Sequence, residues 1–231
     1  MKIALLGYGR MGQTIEKIAI DRGHEIACRI DKQDDFNPDG VDVAIDFSIP
    51  EAAAKNIENC LLNNIPVVSG TTGWLEGYDK MVALCSEKNG AFLYSSNFSV
   101  GVNIFFELNK VLAKMMHNIP EYGVSMEETH HIHKLDAPSG TAITLAEGII
   151  ENSDLDGWAL DEQTENKLPI YAFREGEIPG THSIRYSSNV DDIFIEHKAH
   201  SRQGFAQGAV IAAEWLKDKK GVFSMKDVLN L

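Results

Sequence analysis

The residues with the most concentrated chemistry are Glu128-Thr129-His130-His131-Ile132-His133-Lys134-Leu135-Asp136-Ala137-Pro138-Ser139-Gly140-Thr141-Ala142. His130, His131 and Lys134 can donate protons to an anionic substrate or neutralise it. The amides of Ser139, Gly140 and Thr141 precede a helical pattern that runs from Thr141 through Ile150. Unpaired N–H groups and the helix dipole favour a carboxylate or phosphate at such a start. Gly140 lets that ligand approach the backbone closely. Ser139 acting as a plain N-cap would also explain Ser-Gly-Thr taken alone. Together with two histidines and a lysine, the stretch reads as the substrate half of an active site. No Cys or carboxylate stands at zinc-ligand spacing here, so no metal is expected.

Other elements must position this stretch. Val124 to Thr129 reads as a strand delivering the histidines, after a long amphipathic helix from Val102 to Met116. Beyond Ile150 a polar segment, Glu151 to Lys167, reads as a surface excursion. Strand-like runs without intervening helices follow at Ile170–Arg174, His182–Tyr186 and Ile193–His197. That order predicts an antiparallel or mixed sheet in an α+β domain. His182, His197 and His200 read most simply as strand or loop histidines. Arg174, Arg185 and Arg202 are candidates for neutralising a dianion. An open sheet with exposed strands invites pairing with other subunits, so a homo-oligomer is expected.

The first half has a different rhythm. Ile3 to Leu6 reads as a buried strand, Gly7-Tyr8-Gly9-Arg10-Met11-Gly12 follows at once, and a helix runs to Arg22-Gly23. A second strand, Ile26 to Ile30, ends at Asp31. G-x-G-x-x-G between strand and helix, with an acidic residue after the next strand, is the dinucleotide-binding pattern. Gly7 makes the turn, Gly9 admits the pyrophosphate, and Gly12 brings helix and strand together. Asp31 would accept the adenosine ribose hydroxyls, which favours NADH, while Lys32 would hold the 2′-phosphate of NADPH.

Val41 to Phe47 is a further buried strand. Ser48-Ile49-Pro50-Glu51 reads as a capping box that starts a helix through Leu62. Pro66-Val67-Val68 leads into Ser69-Gly70-Thr71-Thr72-Gly73, where Gly70 to Thr72 would reach the nicotinamide half of the cofactor. A helix from Tyr78 to Lys88 and a strand from Ala91 to Tyr94 lead into Ser95-Ser96-Asn97-Phe98-Ser99-Val100-Gly101. Strand and helix alternate throughout, predicting a doubly wound parallel sheet. Phe205 to Leu216 is a final helix suited to return to this domain, with the tail Val222 to Leu231 beside it. The fold class is therefore α/β: a Rossmann-type domain plus an α+β domain with a mixed sheet.

Composition excludes several classes of function. A formal net charge of −13 argues against nucleic acid and anionic membrane as partners. Any anionic ligand must be held by local positive charge. Cys28, Cys60 and Cys85 are widely spaced and form no C-x-x-C pair, which points to a reduced cytoplasmic compartment. The opening apolar run is too short for a signal peptide, and no stretch approaches transmembrane length.

The chain resembles the 4-hydroxy-tetrahydrodipicolinate reductase family, long called dihydrodipicolinate reductases. The residues that carry the resemblance are Glu128-x-His130-His131-x-x-Lys134-x-Asp136-x-Pro138-Ser139-Gly140-Thr141, Gly9-Arg10-Met11-Gly12, Gly70-Thr71-Thr72-Gly73, Asn97-Phe98-Ser99-Val100-Gly101 and Ser201-Arg202-x-x-Phe205-Ala206-x-Gly208-Ala209. They span nearly the whole chain in the family's order. The family usually has one more residue in the first glycine turn, and the segment between Asp31 and Val41 is compact here. Both departures bear on cofactor preference rather than on the reaction.

The resemblance implies a dinucleotide-binding domain over residues 1–99 and 203–231, and a substrate-binding, tetramer-forming domain over 100–202. It implies reduction of 4-hydroxy-tetrahydrodipicolinate with NADH or NADPH in diaminopimelate and lysine biosynthesis. His130 and Lys134 are then the proton-donating pair, with His131, Gly140 and Thr141 on the substrate carboxylates. The cofactor lies on Gly7 to Met11, Asp31, Gly70 to Thr72 and Ser95 to Phe98. The competing expectations are a Rossmann oxidoreductase acting on another semialdehyde or a sugar, and a sensor that binds NADH without turnover.

Overall fold

The computed structural model describes residues 1–31 and 37–231. In chain order the elements are β1 (Lys2–Leu6), α1 (Arg10–Asp21), β2 (Glu25–Ile30), β3 (Val43–Asp46), α2 (Pro50–Leu62), β4 (Val67–Ser69), α3 (Tyr78–Glu87), β5 (Ala91–Tyr94) and α4 (Val100–Met116). They continue with β6 (Gly123–His130), α5 (Gly140–Ile150), β7 (Gly157–Leu160), β8 (Lys167–Arg174), β9 (Thr181–Ser187), β10 (Asp192–Lys198), α6 (Gln203–Leu216), β11 (Gly221–Phe223) and α7 (Met225–Leu229). The chain divides into two compact units, Met1–Val100 with Gln203–Leu231, and Gly101–Arg202.

The first unit is built on a parallel sheet in the order β11-β5-β4-β3-β1-β2. Its central strands are apolar on both faces, as strands covered by helices on both sides must be. Ile3, Leu5 and Ile45 pack on one face with α1 and α6, and Ala4, Leu6 and Ala44 on the other with α2. Helix α6 presents Ala206, Gly208, Ala209, Ala212 and Ala213 to this core, small residues that allow close packing.

The tail expected beside α6 also adds β11 to the edge of the sheet next to β5. The expected capping box at Ser48 and Glu51 does not form. Ile49 occupies the cap position without a side-chain hydrogen bond, and the Ser48 hydroxyl turns to Asp46 instead. A buried carboxylate outcompetes a solvent-exposed helix amide for that hydroxyl.

The second unit is a mixed sheet in the order β10-β9-β6-β8-β7, covered on one face by α4 and α5. Strands β6, β8 and β7 run parallel, while β9 and β10 pair antiparallel. The segment read as a surface excursion contains β7, which Trp158 and Ala159 anchor against Leu168 and Pro169. An edge strand buries little, so its sequence shows no apolar alternation.

Along β6, Met126, Glu128 and His130 share the buried face because side chains alternate. Met126 lies in register with Ile184 and Ile170, Glu128 with His182, and His130 with Arg174. The apolar layer thus ends at Met126 and a polar layer begins at Glu128.

Candidate active site

In the first unit the strands end in register, Leu6 beside Asp46, Asp46 beside Ser69 and Ser69 beside Tyr94. The four loops that follow therefore emerge from one end of a parallel sheet, where such folds bind ligands. The three glycines of the first loop do different work. Gly7 has φ +93°, and a Cβ there would lie 2.2 Å from the Phe47 carbonyl oxygen. A Cβ on Gly12 would lie 2.3 Å from the Gly7 carbonyl oxygen. Both are required by the protein itself. A Cβ on Gly9, by contrast, would meet nothing within 4 Å, and Gly9 opens α1 with no side-chain cap. The helix-start amides therefore suit a pyrophosphate. Gly9→Ala is expected to leave the melting temperature within about 2 °C, consistent with a surface change, yet to raise the Kd for NADH at least about tenfold through loss of close approach. Equal NADH affinity in a titration would remove Gly9 from the cofactor site.

Tyr8 donates its hydroxyl to Glu16, which also pairs with Arg29, and the Arg29 guanidinium lies 5.8 Å from the Tyr8 ring centre. Met11 packs partly into the core, while Arg10 is exposed. Asp31 is exposed directly after β2, and Lys32 lies outside the described residues.

The loop after β4 is organised by Asp46, which sequence reasoning missed. This fully buried carboxylate accepts hydrogen bonds from Ser48 Oγ (2.7 Å), Asn56 Nδ2 (2.9 Å), Ser69 Oγ (2.9 Å) and Thr71 Oγ1 (2.8 Å). Burial pushes its pKa up and the four donors oppose that shift. The Thr71 hydroxyl is engaged here and also accepts from the Ser48 amide at 2.8 Å, so it braces the loop. Gly70 packs against the Phe47 ring, and Thr72 is exposed. After β5, Ser95 Oγ donates to the Asn97 carbonyl at 2.7 Å, and Asn97 Oδ1 accepts the Ser99 amide at 2.9 Å. Phe98 is buried against Phe47 and Ser96 is exposed.

In the second unit, His130 ends β6 with its ring 5.0 Å from that of His182. Beneath both rings lies Glu128, 1% exposed, whose carboxylate is 3.6 Å from His130 Nδ1, 3.7 Å from His182 Nε2 and 3.1 Å from Arg174 Nη2. The Ser139 amide donates to the same carboxylate at 3.0 Å. Ser139 Oγ accepts the Ala142 amide at 3.2 Å, capping α5, and lies 3.1 Å from His182 Nε2.

Ser139, expected among the ligand contacts, therefore has its amide and hydroxyl engaged within the protein. Glu128, on the strand that leads into this loop, claims the Ser139 amide at the start of α5. Gly140 is exposed, with open space around its Cα.

Lys134 Nζ pairs with both oxygens of Asp136, at 2.8 and 2.9 Å. Arg174 donates to the carbonyls of Lys134 (3.2 Å) and Asp136 (2.6 Å), fixing the loop between β6 and α5. The His131 ring lies beside that of His133 (6.0 Å). Arg185 pairs with Asp192.

Burial lowers the pKa of His130, the Glu128 carboxylate opposes that shift, and Lys134 and Arg174 reinforce it. Burial takes His182 down to about 3, so it is neutral at working pH. Glu128, His130 and His182 each offer a metal-ligand atom within 4.8 Å of the others. The carboxylate already has the Arg174 guanidinium and the Ser139 amide as hydrogen-bond partners, and the two imidazoles stand just beyond hydrogen-bond distance of it. Glu128 and His182, to which the sequence reading gave no site role, and Arg174, one of its three candidate arginines, are brought together with His130.

The arrangement can protonate a carbon or nitrogen next to a bound anion, in a chain whose other unit is suited to a dinucleotide. Residues 33–98 match the family described as dihydrodipicolinate reductase, N-terminus, and residues 101–229 match dihydrodipicolinate reductase, C-terminus. A protein from Christiangramia forsetii named 4-hydroxy-tetrahydrodipicolinate reductase is 58% identical over 100% of this chain and 98% of its own. One of the same name from Methanoregula boonei is 33% identical, over 100% of this chain and 98% of its own. A solved structure described as dipicolinate-bound dihydrodipicolinate reductase from Paenisporosarcina sp. TG-14 superposes with a TM-score of 0.80 at 22% identity, covering 97% of each chain. With both halves matched and close relatives aligned end to end, the chain belongs to the dihydrodipicolinate reductase family.

Proposed function

We propose that this protein reduces 4-hydroxy-tetrahydrodipicolinate to tetrahydrodipicolinate, with loss of water, using NADH or NADPH in the diaminopimelate route to lysine. The observation that carries the reading is the pairing of a buried imidazole, His130, with a lysine and an anion-favouring helix start on one short loop, in a chain of this family. The first unit binds the dinucleotide. Gly9 leaves room for the pyrophosphate and Asp31 stands where the adenosine ribose would be held.

When bound, the reduced nicotinamide supplies the hydride. The protein supplies binding, orientation and the proton. Hydride addition to a conjugated ring imine leaves negative charge on the ring, and His130 and Lys134 form the proton-donating pair that quenches it. His131 and the amides of Gly140 and Thr141 grip the substrate carboxylates, with Lys134 exchanging Asp136 for one of them.

The second unit also carries the oligomer contact. Phe173 and Phe194 are about half exposed on the sheet face away from α4 and α5, and a homotetramer covers that face. Among the described residues no helix is long and apolar enough to cross a membrane, and the three cysteines are free. A cytoplasmic location accords with both.

The deciding assay forms the substrate in place from pyruvate and aspartate semialdehyde with the upstream synthase, then follows loss of reduced nicotinamide absorbance. Turnover with NADH, NADPH or both is expected. Absence of turnover with either overturns the reading.

A further inference from the structure

We propose that Glu128 is a positioning residue for this reaction, one carboxylate that aligns the His130 ring and the start of α5 against each other. The inference rests on the role given to His130 above and names a residue that acts through it. His130 Nδ1 is buried and has no hydrogen-bond partner at normal distance, and Glu128 Oε2 stands 3.6 Å from it. Hydrogen bonds of catalytic groups commonly tighten when substrate is bound. A small ring rotation brings Nδ1–H onto Glu128 and leaves Nε2 as the edge that meets substrate.

The same carboxylate accepts the Ser139 amide at 3.0 Å, so the donor edge of the imidazole and the following helix amides keep a fixed separation. A Cβ at Gly180 would come 3.1 Å from His130 Nε2, so the glycine there keeps that edge of the ring uncovered. Arg174, 3.1 Å from Glu128, holds the carboxylate in place.

Neutral histidine in water favours the Nε2–H form. An acceptor under Nδ1 selects the other tautomer and stabilises the imidazolium once it forms. The groups that face His130 are Glu128 on its own strand, Arg174 on β8, His182 on β9, and Lys134 and Asp136 in the following loop. Of these, Glu128 is the largest influence favouring the protonated ring, while Lys134 and Arg174 disfavour it. An acid must be protonated to act, so activity falls as pH rises through the His130 pKa. Removing the Glu128 charge lowers that pKa, and the falling limb moves to lower pH.

The experiment has two arms. Side-chain 15N spectra of the wild-type protein, with the His130 signals assigned by comparison with His130→Asn, report the neutral tautomer without any need for turnover. Nδ1–H is expected, and Nε2–H overturns the proposal. In the second arm, Glu128→Gln is expected to lower kcat about tenfold to a hundredfold, the range seen for residues that orient a functional group. Its falling pH limb is expected to move down by roughly one unit, with NADH affinity unchanged. Glu128→Asp keeps the charge and is expected to restore the wild-type pH profile. A Glu128→Gln profile superimposable on wild type overturns the proposal whatever its rate. If Glu128→Gln does not fold, the wild-type spectrum decides. Loss of wild-type turnover would count against the proposed reaction and leave the tautomer result standing.

Discussion

His130→Ala is expected to lower kcat about 10²- to 10⁴-fold, the usual contribution of a positioned general acid, while the Kd for NADH stays within about twofold. The loops proposed to hold the dinucleotide lie in the first compact unit and His130 lies in the second, so the substitution is expected to leave them intact. Truncation also empties the space above Glu128 and beside His182, and the variant should be checked for folding by circular dichroism.

Lys134→Ala is expected to act differently. Its ammonium is paired with Asp136 here and is expected to grip a substrate carboxylate, a charge-assisted contact worth about 1.5–3 kcal/mol. KM should rise about tenfold to a hundredfold by that measure, and kcat should fall as well. Steady-state kinetics with the coupled assay, alongside fluorescence titration of NADH, separates the two outcomes. A near-wild-type rate in either variant would remove that residue from the acid pair.

The second large effect is expected at Gly208. A Cβ there would sit 1.7 Å from the Phe98 carbonyl oxygen and 2.7 Å from its carbon. Both are backbone atoms, so no rotamer change relieves the overlap. Helix α6 or the segment after β5 must move instead. Gly208→Ala is expected to destabilise by about 3 kcal/mol, the upper end for overpacking a core. In a chain of this size that lowers Tm by roughly 6–12 °C.

Because the displaced segment includes Ser95 to Phe98, NADH affinity should fall along with stability. Gly204→Ala, on the same helix, is the control. Its Cβ meets only Ser99 Oγ, at 3.6 Å, an ordinary contact, and alanine is the better helix former. Differential scanning calorimetry on both variants tests the argument. Equal melting temperatures would mean that α6 can shift at little cost.

Several parts of this protein were legible in the sequence because they depend on local chemistry. The positive φ of Gly7 and the backbone contact at Gly12 permit little but glycine, so the turn is written in residue type. Apolar runs such as Ile3–Leu6 mark strands covered on both faces, and the small residues of α6 mark a helix packed closely on that sheet. Ser139 reads as an N-cap because its side chain bonds an amide three residues on. Ser48 misled for the same local reason. The capping pattern was present, but Asp46 offered its hydroxyl a better partner.

What the sequence by itself determined is thus the type of each half and the His-Lys loop that carries the proposed chemistry. Only the tertiary structure decided the partners. Register places His182 beside Glu128 and Arg174 beside His130, although each is more than 40 residues away along the chain. Within the protein Glu128 takes the Ser139 amide and Asp46 takes the Thr71 hydroxyl. Those outcomes are competitions among buried polar groups for the nearest donor. They are settled by strand pairing, which spacing along one chain does not encode.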